Sequence, residues 1–231
     1  MPHAFLKSEH KKLNFTIATR GSELALWQAR SIQKMMLEFH PEISVKLLII
    51  KTAGDIIQDR PLSEIGGKGL FVKELEKALL EGKADLAVHS MKDVSSSLPE
   101  GLEISAITRR EHPGDAWISP KFGKIEDVPI GSIVGTSSLR RKSQLKNFRP
   151  DLRFQSLRGN VQTRIRKINQ GEVQATILAV AGLNRCNLQD CITEVLPMDM
   201  VLPAIGQGAI GIETRIGDSV TLERVKQLND R

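Results

Sequence analysis

The sequence alternates short strand-like runs with longer segments of helical periodicity, and this alternation constrains the fold more than any other feature. Residues 45–50 (VKLLII) have the apolar content of a buried strand. In contrast, Leu24, Trp27 and Ile32 are among the apolar positions of a predicted helix after Ser22, a residue type that favours helix N-caps. Strands that alternate with helices predict a mostly parallel sheet covered by helices on both faces, and therefore an α/β fold.

The alternation continues along the chain and is interrupted at two places. Predicted strands cover residues 14–19, 45–50, 85–88, 132–135, 152–156, 174–178 and 209–213. Predicted helices cover residues 23–39, 71–79, 137–147, 161–169 and 221–228, and Gly82 is a stop signal for the second of them. The stretches 109–115 and 202–208 look like crossings between two domains. The first domain would then comprise residues 1–108 with 209–231, and the second residues 109–208.

Positive charge is concentrated in one stretch of the sequence. The chain has 33 Lys and Arg against 27 Asp and Glu, a formal net charge of +6. Ten of the basic residues and a single acid, Asp151, fall between residues 140 and 167. A local excess of this size predicts an anionic partner. The chain has no Tyr, only seven Phe and two Trp, so surfaces for base stacking are sparse and nucleic acid is the weaker alternative.

Several classes of protein are excluded at this point. The longest apolar run, residues 177–183, is far shorter than the ~20 residues of a membrane span. Residues 1–13 contain no apolar stretch behind a basic head, so we expect no secretory signal and no membrane partner. Two cysteines are too few for a disulfide framework or a four-cysteine zinc site, which predicts no metal and a cytosolic setting.

Polar residues follow several predicted strands, at the position where open parallel sheets bind ligands. These residues are Arg20, Ser22, Lys92, Asp93, Thr136, Ser138, Arg140, Arg141, Arg158 and Arg164. Hydroxyls, backbone N–H groups and guanidinium groups at one edge of a sheet favour a site for carboxylates, which arginine binds through two hydrogen bonds. The alternative is a solvated basic face on which the Ser and Thr residues serve only as N-caps.

Three further features leave their interpretation open. Residues 66–69 (GGKG) can present backbone N–H groups and Lys68 to an anion, but they lack the spacing of a P-loop and equally fit a flexible loop. His89, after a strand, is more typical of a packing or hydrogen-bonding residue than of a catalyst. Asp93 fits a surface ion pair with Lys92 or, in a cationic cleft, a carboxylate that stabilises developing positive charge.

Several motifs resemble those of the porphobilinogen deaminase family, and they occur in the family's order over nearly the whole chain. They are IATRGS (17–22), LALWQA (24–29), GGKGLFVKEL (66–75), AVHSMKDV (87–94), GTSSLRR (135–141), SLRGN (156–160), ILAVAGL (177–183) and LPAIGQGA (202–209). The resemblance implies two domains similar to type II periplasmic binding proteins, with a cleft between them. It also implies the joining of four porphobilinogen molecules into hydroxymethylbilane for haem biosynthesis, with release of ammonia, on a dipyrromethane cofactor.

The resemblance also assigns roles to residues. Asp93 matches the catalytic aspartate, which contacts pyrrole N–H groups. Phe71 matches a residue that packs near the pyrroles. The residues that bind substrate or cofactor carboxylates are expected to be Arg20, Ser22, Lys68, Lys92, Thr136, Ser138, Arg140, Arg141, Arg158, Arg164, Arg185 and Gln207.

The chain departs from the family's pattern in two respects. The family's third domain carries the cysteine that holds the cofactor; we expect that domain to be absent here, and neither Cys186 nor Cys191 lies in the attachment motif. We therefore expect no covalent cofactor and leave open an inactive fragment, or a non-catalytic module that binds small carboxylates or oligopyrroles. Ser95 also stands where the family usually has proline. A monomer is expected.

Overall fold

In a computed structural model of the chain, the structure describes residues 14–56 and 67–230. The strands are β1 (Asn14–Arg20), β2 (Ser44–Ile50), β3 (Leu86–Ser90), β4 (Leu102–Ile107), β5 (Asp115–Ile118), β6 (Ile133–Gly135), β7 (Arg153–Gln155), β8 (Ala175–Ala179), β9 (Glu194–Val195) and β10 (Ile210–Arg215). The α-helices are α1 (Glu23–Phe39), α2 (Ala53–Ile56), α3 (Lys73–Leu80), α4 (Leu139–Phe148), α5 (Val161–Asn169), α6 (Val180–Arg185) and α7 (Ser219–Val225). Short 3₁₀ helices cover Gly67–Phe71, Met91–Asp93, Gln189–Cys191 and Lys226–Leu228.

The strands form two five-stranded sheets, which define a first and a second lobe. The first sheet has the order β2-β1-β3-β10-β4 and the second β7-β6-β8-β5-β9. In each sheet the first three strands are parallel to one another. The fourth strand runs antiparallel to both of its neighbours, the third and the fifth. The α/β fold class is confirmed, but the sheets are mixed rather than mostly parallel. The reason is that β5 and β10, which follow the two connections between lobes, each insert antiparallel beside a parallel strand.

Two segments connect the lobes and lie side by side. We call residues 109–114 the first crossing and residues 202–208 the second crossing. The backbone N–H of Glu111 donates to the carbonyl oxygen of Gly208 at 3.1 Å. Gly208 has a φ of +94°, and a Cβ there would collide with the Glu111 carbonyl, so this close approach requires glycine. The predicted domain bounds, 108/109 and 208/209, stay predictions.

Each lobe is held by an apolar core on the buried side of its helices. In the first lobe, Ser22 caps α1 by accepting a hydrogen bond from the Ala25 N–H at 3.3 Å, as predicted. Ile32 and Met36 of α1 are fully buried in the core that also contains Ile17 of β1. Burial of each such side chain contributes about 1.5–3 kcal/mol. The capped helices are therefore fixed against the sheets, and this packing also fixes the positions of the strand ends.

Some predicted elements differ from the structure. The strand predicted as buried at residues 45–50 is the edge strand β2, where Ile49 is 57% exposed. Its apolar run is therefore half covered rather than enclosed. The strands β4, β5 and β9 and the helix α6 were not predicted. They are short, and runs of two to six residues carry too little periodicity to be recognised.

Candidate functional site

The residues predicted to form a site lie at the carboxyl ends of strands in both lobes. Arg20 is the last residue of β1, and Lys92 and Asp93 belong to the 3₁₀ helix that follows β3. Thr136 follows β6 and Arg158 follows β7 in the second lobe. Because β1 is parallel to β3, and β6 to β7, these residues emerge at one edge of each sheet.

Lys92 is the residue at which charged groups of the two lobes interact. It belongs to the first lobe, yet the charges acting on its ammonium group include Arg141, Asp115 and Arg164 of the second lobe. Burial and the charge of Arg141 lower the pKa of Lys92 to about 8, whereas Asp93 and Asp115 act in the opposite direction. The strand ends of both lobes therefore meet around this lysine.

A second, half-buried cation lies in the same group. Burial and the charges of Arg141 and Arg158 lower the pKa of Arg164 to about 10, and Asp93 opposes them. The Nε–H of Arg164 donates to the carbonyl oxygen of Gly159 at 2.8 Å, which fixes the guanidinium beside the turn after β7. We call Lys92, Arg158 and Arg164 the cationic cluster. Asp93 acts on both Lys92 and Arg164, and like charges held together by the fold favour an anion placed among them.

The buried carboxylate of Asp115 organises the second lobe's side of the site. Asp115 is the first residue of β5, and its side chain is wholly buried. Arg141 donates to its Oδ1 from Nη2 at 2.6 Å and from Nε at 3.2 Å, and Arg140 donates to its Oδ2 at 2.8 Å. Burial opposes the charge, but the two arginines outweigh it and hold the pKa of this carboxyl below its usual value.

Three residues predicted to bind ligand carboxylates therefore use donor groups within the protein. Arg141 is almost fully buried and also donates to the Ile177 carbonyl oxygen at 3.1 Å. The amide of Gln207 donates to Asp115 Oδ1 at 3.0 Å and to the Pro113 carbonyl oxygen at 2.6 Å. Arg140 contacts the Leu202 carbonyl oxygen as well as Asp115, but its side chain is 25% exposed. Of the three, Arg140 has the most surface left for a ligand.

In the first lobe, Arg20 forms a smaller cluster. It pairs with Asp55, and its guanidinium lies 4.2 Å from the ring centre of Phe71. Burial opposes the charge on Asp55, but hydrogen bonds from Arg20 and Thr52 lower the pKa of the carboxyl. The 3₁₀ helix that ends at Phe71 lies against the one that contains Asp93. Residue 66 and the side chain of Lys68 lie outside the part of the chain that the structure describes.

The predicted hydroxyl residues sit at helix starts. Ser22 Oγ accepts from the Ala25 N–H, and Ser138 Oγ accepts from the Arg141 N–H at 3.4 Å. Thr136 Oγ1 accepts from the Ser138 N–H at 3.2 Å. All three hydroxyls therefore serve as local backbone acceptors, as the N-cap interpretation expects, while each O–H remains able to donate to an anion.

Arg185 lies at the connection between the lobes. Its Nη2 donates to the Gly208 carbonyl oxygen at 2.6 Å, and its guanidinium is 5.6 Å from the ring centre of Trp27 in α1. Burial lowers the pKa of this arginine, with Glu111 opposing. These contacts tie α6 to α1 and to the second crossing. The predicted role of Arg185 in carboxylate binding stays a prediction.

The two cysteines and the His residues form no metal site in the described part of the chain. Among the described residues, no three His, Cys, Asp or Glu side chains are placed to hold a metal ion. Cys186 and Cys191 are free and half-buried, and burial raises the pKa of the Cys186 thiol. His89 pairs through Nε2 with Glu213 at 2.9 Å in the interior of the first lobe. In residues 14–56 and 67–230, no helix is long and apolar enough to cross a membrane.

Sequence reasoning missed Asp115 as a site residue. Asp115 acts on the same Lys92 as Asp93 does, so the candidate site contains a second carboxylate. The basic stretch 140–167 is also not one surface. Arg149 binds Asp151 and the Ile125 carbonyl oxygen, each at 2.7 Å, and therefore stabilises a turn away from the cluster. A signal for Asp115 was present only as an acidic residue at the start of an apolar run.

The two-lobed fold is that of type II periplasmic binding proteins. Similar solved structures include the lipoprotein Tp32 from Treponema pallidum (12% identity, 94% of this chain and 91% of that chain, TM-score 0.60). The methionine-binding protein MetQ is also similar (14% identity, 93% and 89%, TM-score 0.58), as is the periplasmic VFT2 domain of BvgS from Bordetella pertussis (13% identity, 94% and 86%, TM-score 0.52). At these identities the likeness shows the fold alone.

The family is established by a second comparison. The family model "Porphobilinogen deaminase, dipyromethane cofactor binding domain" matches residues 15–223. The chain therefore belongs to the porphobilinogen deaminase family, and the matched domain is the one that binds the dipyrromethane cofactor.

Proposed function

We propose that this domain binds the anionic pyrrole chain of the deaminase reaction between its two lobes. The reaction joins four porphobilinogen molecules head to tail into hydroxymethylbilane and releases ammonia at each step. The observation that carries the proposal is the cationic cluster at the strand ends of both lobes, where Asp93 acts on Lys92 and Arg164. Each pyrrole ring bears acetate and propionate groups, and guanidinium and ammonium groups bind carboxylates through charge-assisted hydrogen bonds.

The same residues fit a dipyrromethane. Burial, and after it the charge of Arg141 and, for Arg164, of Arg158, depresses the pKa values of Lys92 and Arg164, and carboxylates bound among these groups would relieve the repulsion. Phe71, next to the helix of Asp93, offers an apolar face for a ring. When bound, a dipyrromethane supplies the pyrrole end on which the chain grows.

Asp93 carries the chemical step in this proposal. Its carboxylate lies in the field of Lys92 and Arg164, both of which are half-buried. From this position it accepts hydrogen bonds from pyrrole N–H groups and stabilises the positive charge that develops on the ring as ammonia departs. Preorganised charges in a site that excludes water act strongly, because little water reorients during the reaction.

A second candidate is a binding module that closes on a small carboxylate or an oligopyrrole without turnover. The type II periplasmic binding protein fold favours it. So does the internal use of Arg141 and Gln207, which limits the donors available to a reacting chain.

One experiment separates the two candidates. The 231-residue chain is titrated calorimetrically with porphobilinogen, and the mixture is then assayed for bilane with Ehrlich reagent and by intact-protein mass. Binding together with product, and loss of product in Asp93→Asn, supports the deaminase proposal, whereas binding without product supports the module. Asp151→Asn is the matched control, because its carboxylate pairs with Arg149 away from the cluster. Absence of binding contradicts both, and a pyrrole adduct on Cys186 or Cys191 contradicts the expectation of no attachment.

The proposal extends to the cellular setting. Hydroxymethylbilane is the linear precursor from which tetrapyrroles such as haem are made, so we place the domain in tetrapyrrole biosynthesis. The two free thiols fit the reducing cytosol. Fractionation of cells and assay of the bilane in the soluble fraction test this placement.

A further inference from the structure

The buried carboxylate of Asp115 joins three segments of the chain. Asp115 is the first residue of β5, directly after the first crossing, Arg140 and Arg141 lie in the first turn of α4, and Gln207 lies in the second crossing. All three side chains donate to the carboxylate, at distances of 2.6 to 3.2 Å. One carboxylate therefore sets the position of both arginines relative to both connections between the lobes.

The orientation of Gln207 shows how strongly the carboxylate and its neighbours dictate the local structure. Its Nε2 faces three acceptors: Asp115 Oδ1 and the carbonyl oxygens of Pro113 and Gly114. Its Oε1 is buried and has no hydrogen-bond partner among the described residues. A buried carbonyl oxygen without a hydrogen-bond partner is destabilising. The lost hydrogen bond of Oε1 is therefore offset by the bonds that the amide N–H groups make to Asp115 and the first crossing.

The charge of Asp115 also reaches the cationic cluster. The charged groups that act on Lys92 are Arg141, Arg164, Asp93 and Asp115, so one carboxylate from each lobe faces this ammonium group. Asp115 acts on it directly, and also indirectly by holding and neutralising Arg141. Arg140 shares the same carboxylate from its more exposed side.

We infer that Asp115 is a positioning residue of the anion site: its carboxylate fixes the two arginines of α4 against both crossings and balances their charge beside Lys92. The inference rests on the proposed function for its biological meaning, because it assumes that the cationic cluster binds a ligand. What the inference predicts is a change in the protonation of Lys92, and this can be measured without any ligand.

The test is an NMR titration of the Lys92 side-chain signal against pH in the full chain, assigned with Lys92→Arg. We expect a midpoint near 8 in the wild-type protein. Asp115→Asn lowers it by about one unit, because a favourable charge is lost and Arg141 is left unbalanced. Arg140→Gln raises the midpoint, because the Asp115 carboxylate is then shared with one arginine fewer.

The two variants therefore shift the midpoint in opposite directions, which a merely structural role of Asp115 would not produce. Asp151→Asn, which breaks an Arg–Asp pair elsewhere in the second lobe, is expected to leave the midpoint unchanged. If Asp115→Asn does not fold, the upward shift in Arg140→Gln decides. An unchanged or lowered midpoint in Arg140→Gln overturns the inference, as does an unchanged midpoint in a folded Asp115→Asn. Failure of porphobilinogen to bind the wild-type protein overturns the proposed function instead and leaves this result standing.

Discussion

Both lobes hold an arginine of the candidate site with a carboxylate, but the two carboxylates are buried to different extents. Asp55 pairs with Arg20 in the first lobe and is 27% exposed, whereas Asp115 pairs with Arg140 and Arg141 in the second lobe and is 0% exposed. A partly solvated pair is weak and easily exchanged, while a dry pair is costly to break. Equivalent strand ends thus provide an adaptable contact in one lobe and a rigid one in the other.

The largest expected effect is on stability, and it tests this comparison directly. Asp115→Ala leaves the buried guanidinium of Arg141 and the partly exposed one of Arg140 without their counter-ion, and we expect the free energy of unfolding to fall by about 3–5 kcal/mol. For Asp55→Ala we expect a loss of about 1 kcal/mol, because water screens the pair. Urea denaturation of both variants measures the difference. Equal losses of stability in the two variants would show that burial does not distinguish the two ion pairs.

The next prediction separates a reacting carboxylate from a positioning one. In a form of the protein that turns over porphobilinogen, Asp93→Asn preserves shape but removes the charge that faces the ring. We expect turnover to fall by at least ~100-fold while porphobilinogen still binds. Product assays and calorimetry on the same preparation measure both quantities. Near-native turnover in this variant would remove Asp93 from the chemical step.

A third prediction compares a half-buried and an exposed arginine of the second lobe, Arg164 and Arg166. Arg164 and Arg166 both lie on α5, two positions apart and therefore on different faces of the helix. Arg164→Gln removes a cation of the cluster, and we expect porphobilinogen affinity to fall ~10-fold or more, the size of one charge-assisted hydrogen bond. Arg166→Gln, at an exposed position, is the matched control and is expected to bind as the wild type does. Equal losses in both variants would favour a diffuse basic face over a defined site.

The smallest effect is expected inside the first lobe. Burial and the nearby Glu213 raise the pKa of Glu76, with His89 acting against them. Because the folded pKa lies above the ordinary 4.5, the protonated form is favoured by folding, and this stability is lost as pH rises through the folded pKa. We expect Glu76→Gln to unfold at higher urea concentration than the wild type at neutral pH and to show no gain below pH 4.5. A gain that persists below pH 4.5 would point to packing instead of charge.

The sequence was sufficient to predict much of the fold. Long elements with clear periodicity and caps, such as α1 behind Ser22 and α5 at residues 161–169, were predicted almost to the residue. The strand that became β10 was predicted and assigned to the first domain, but its antiparallel pairing with β3 was not, and β5 was missed altogether, because strand pairing depends on partners far along the chain. For this reason mixed sheets were predicted as mostly parallel ones.

The site was predicted as a set of cations but not as a network. Strand ends followed by Arg, Lys and Ser are visible in the sequence, so the region was found. The partner of Arg141 was not, since Asp115 lies 26 positions away and Gln207 a further 92 positions from that aspartate. Burial decides which arginines can exchange their carboxylate partner for a ligand and which are held by that partner. Burial of a single carboxylate has no local sequence pattern. The family's roles for these residues stay predictions.

The most direct test of the central claim is the affinity of the chain for porphobilinogen as a function of salt and pH. If Lys92 and its neighbours bind ligand carboxylates around Asp93, binding is saturable and weakens as salt is added. It also weakens as pH rises through about 8, where Lys92 loses its proton. In Lys92→Met the pH dependence in that window disappears. Saturable binding that is indifferent to salt and pH, or no binding at all, would contradict the account.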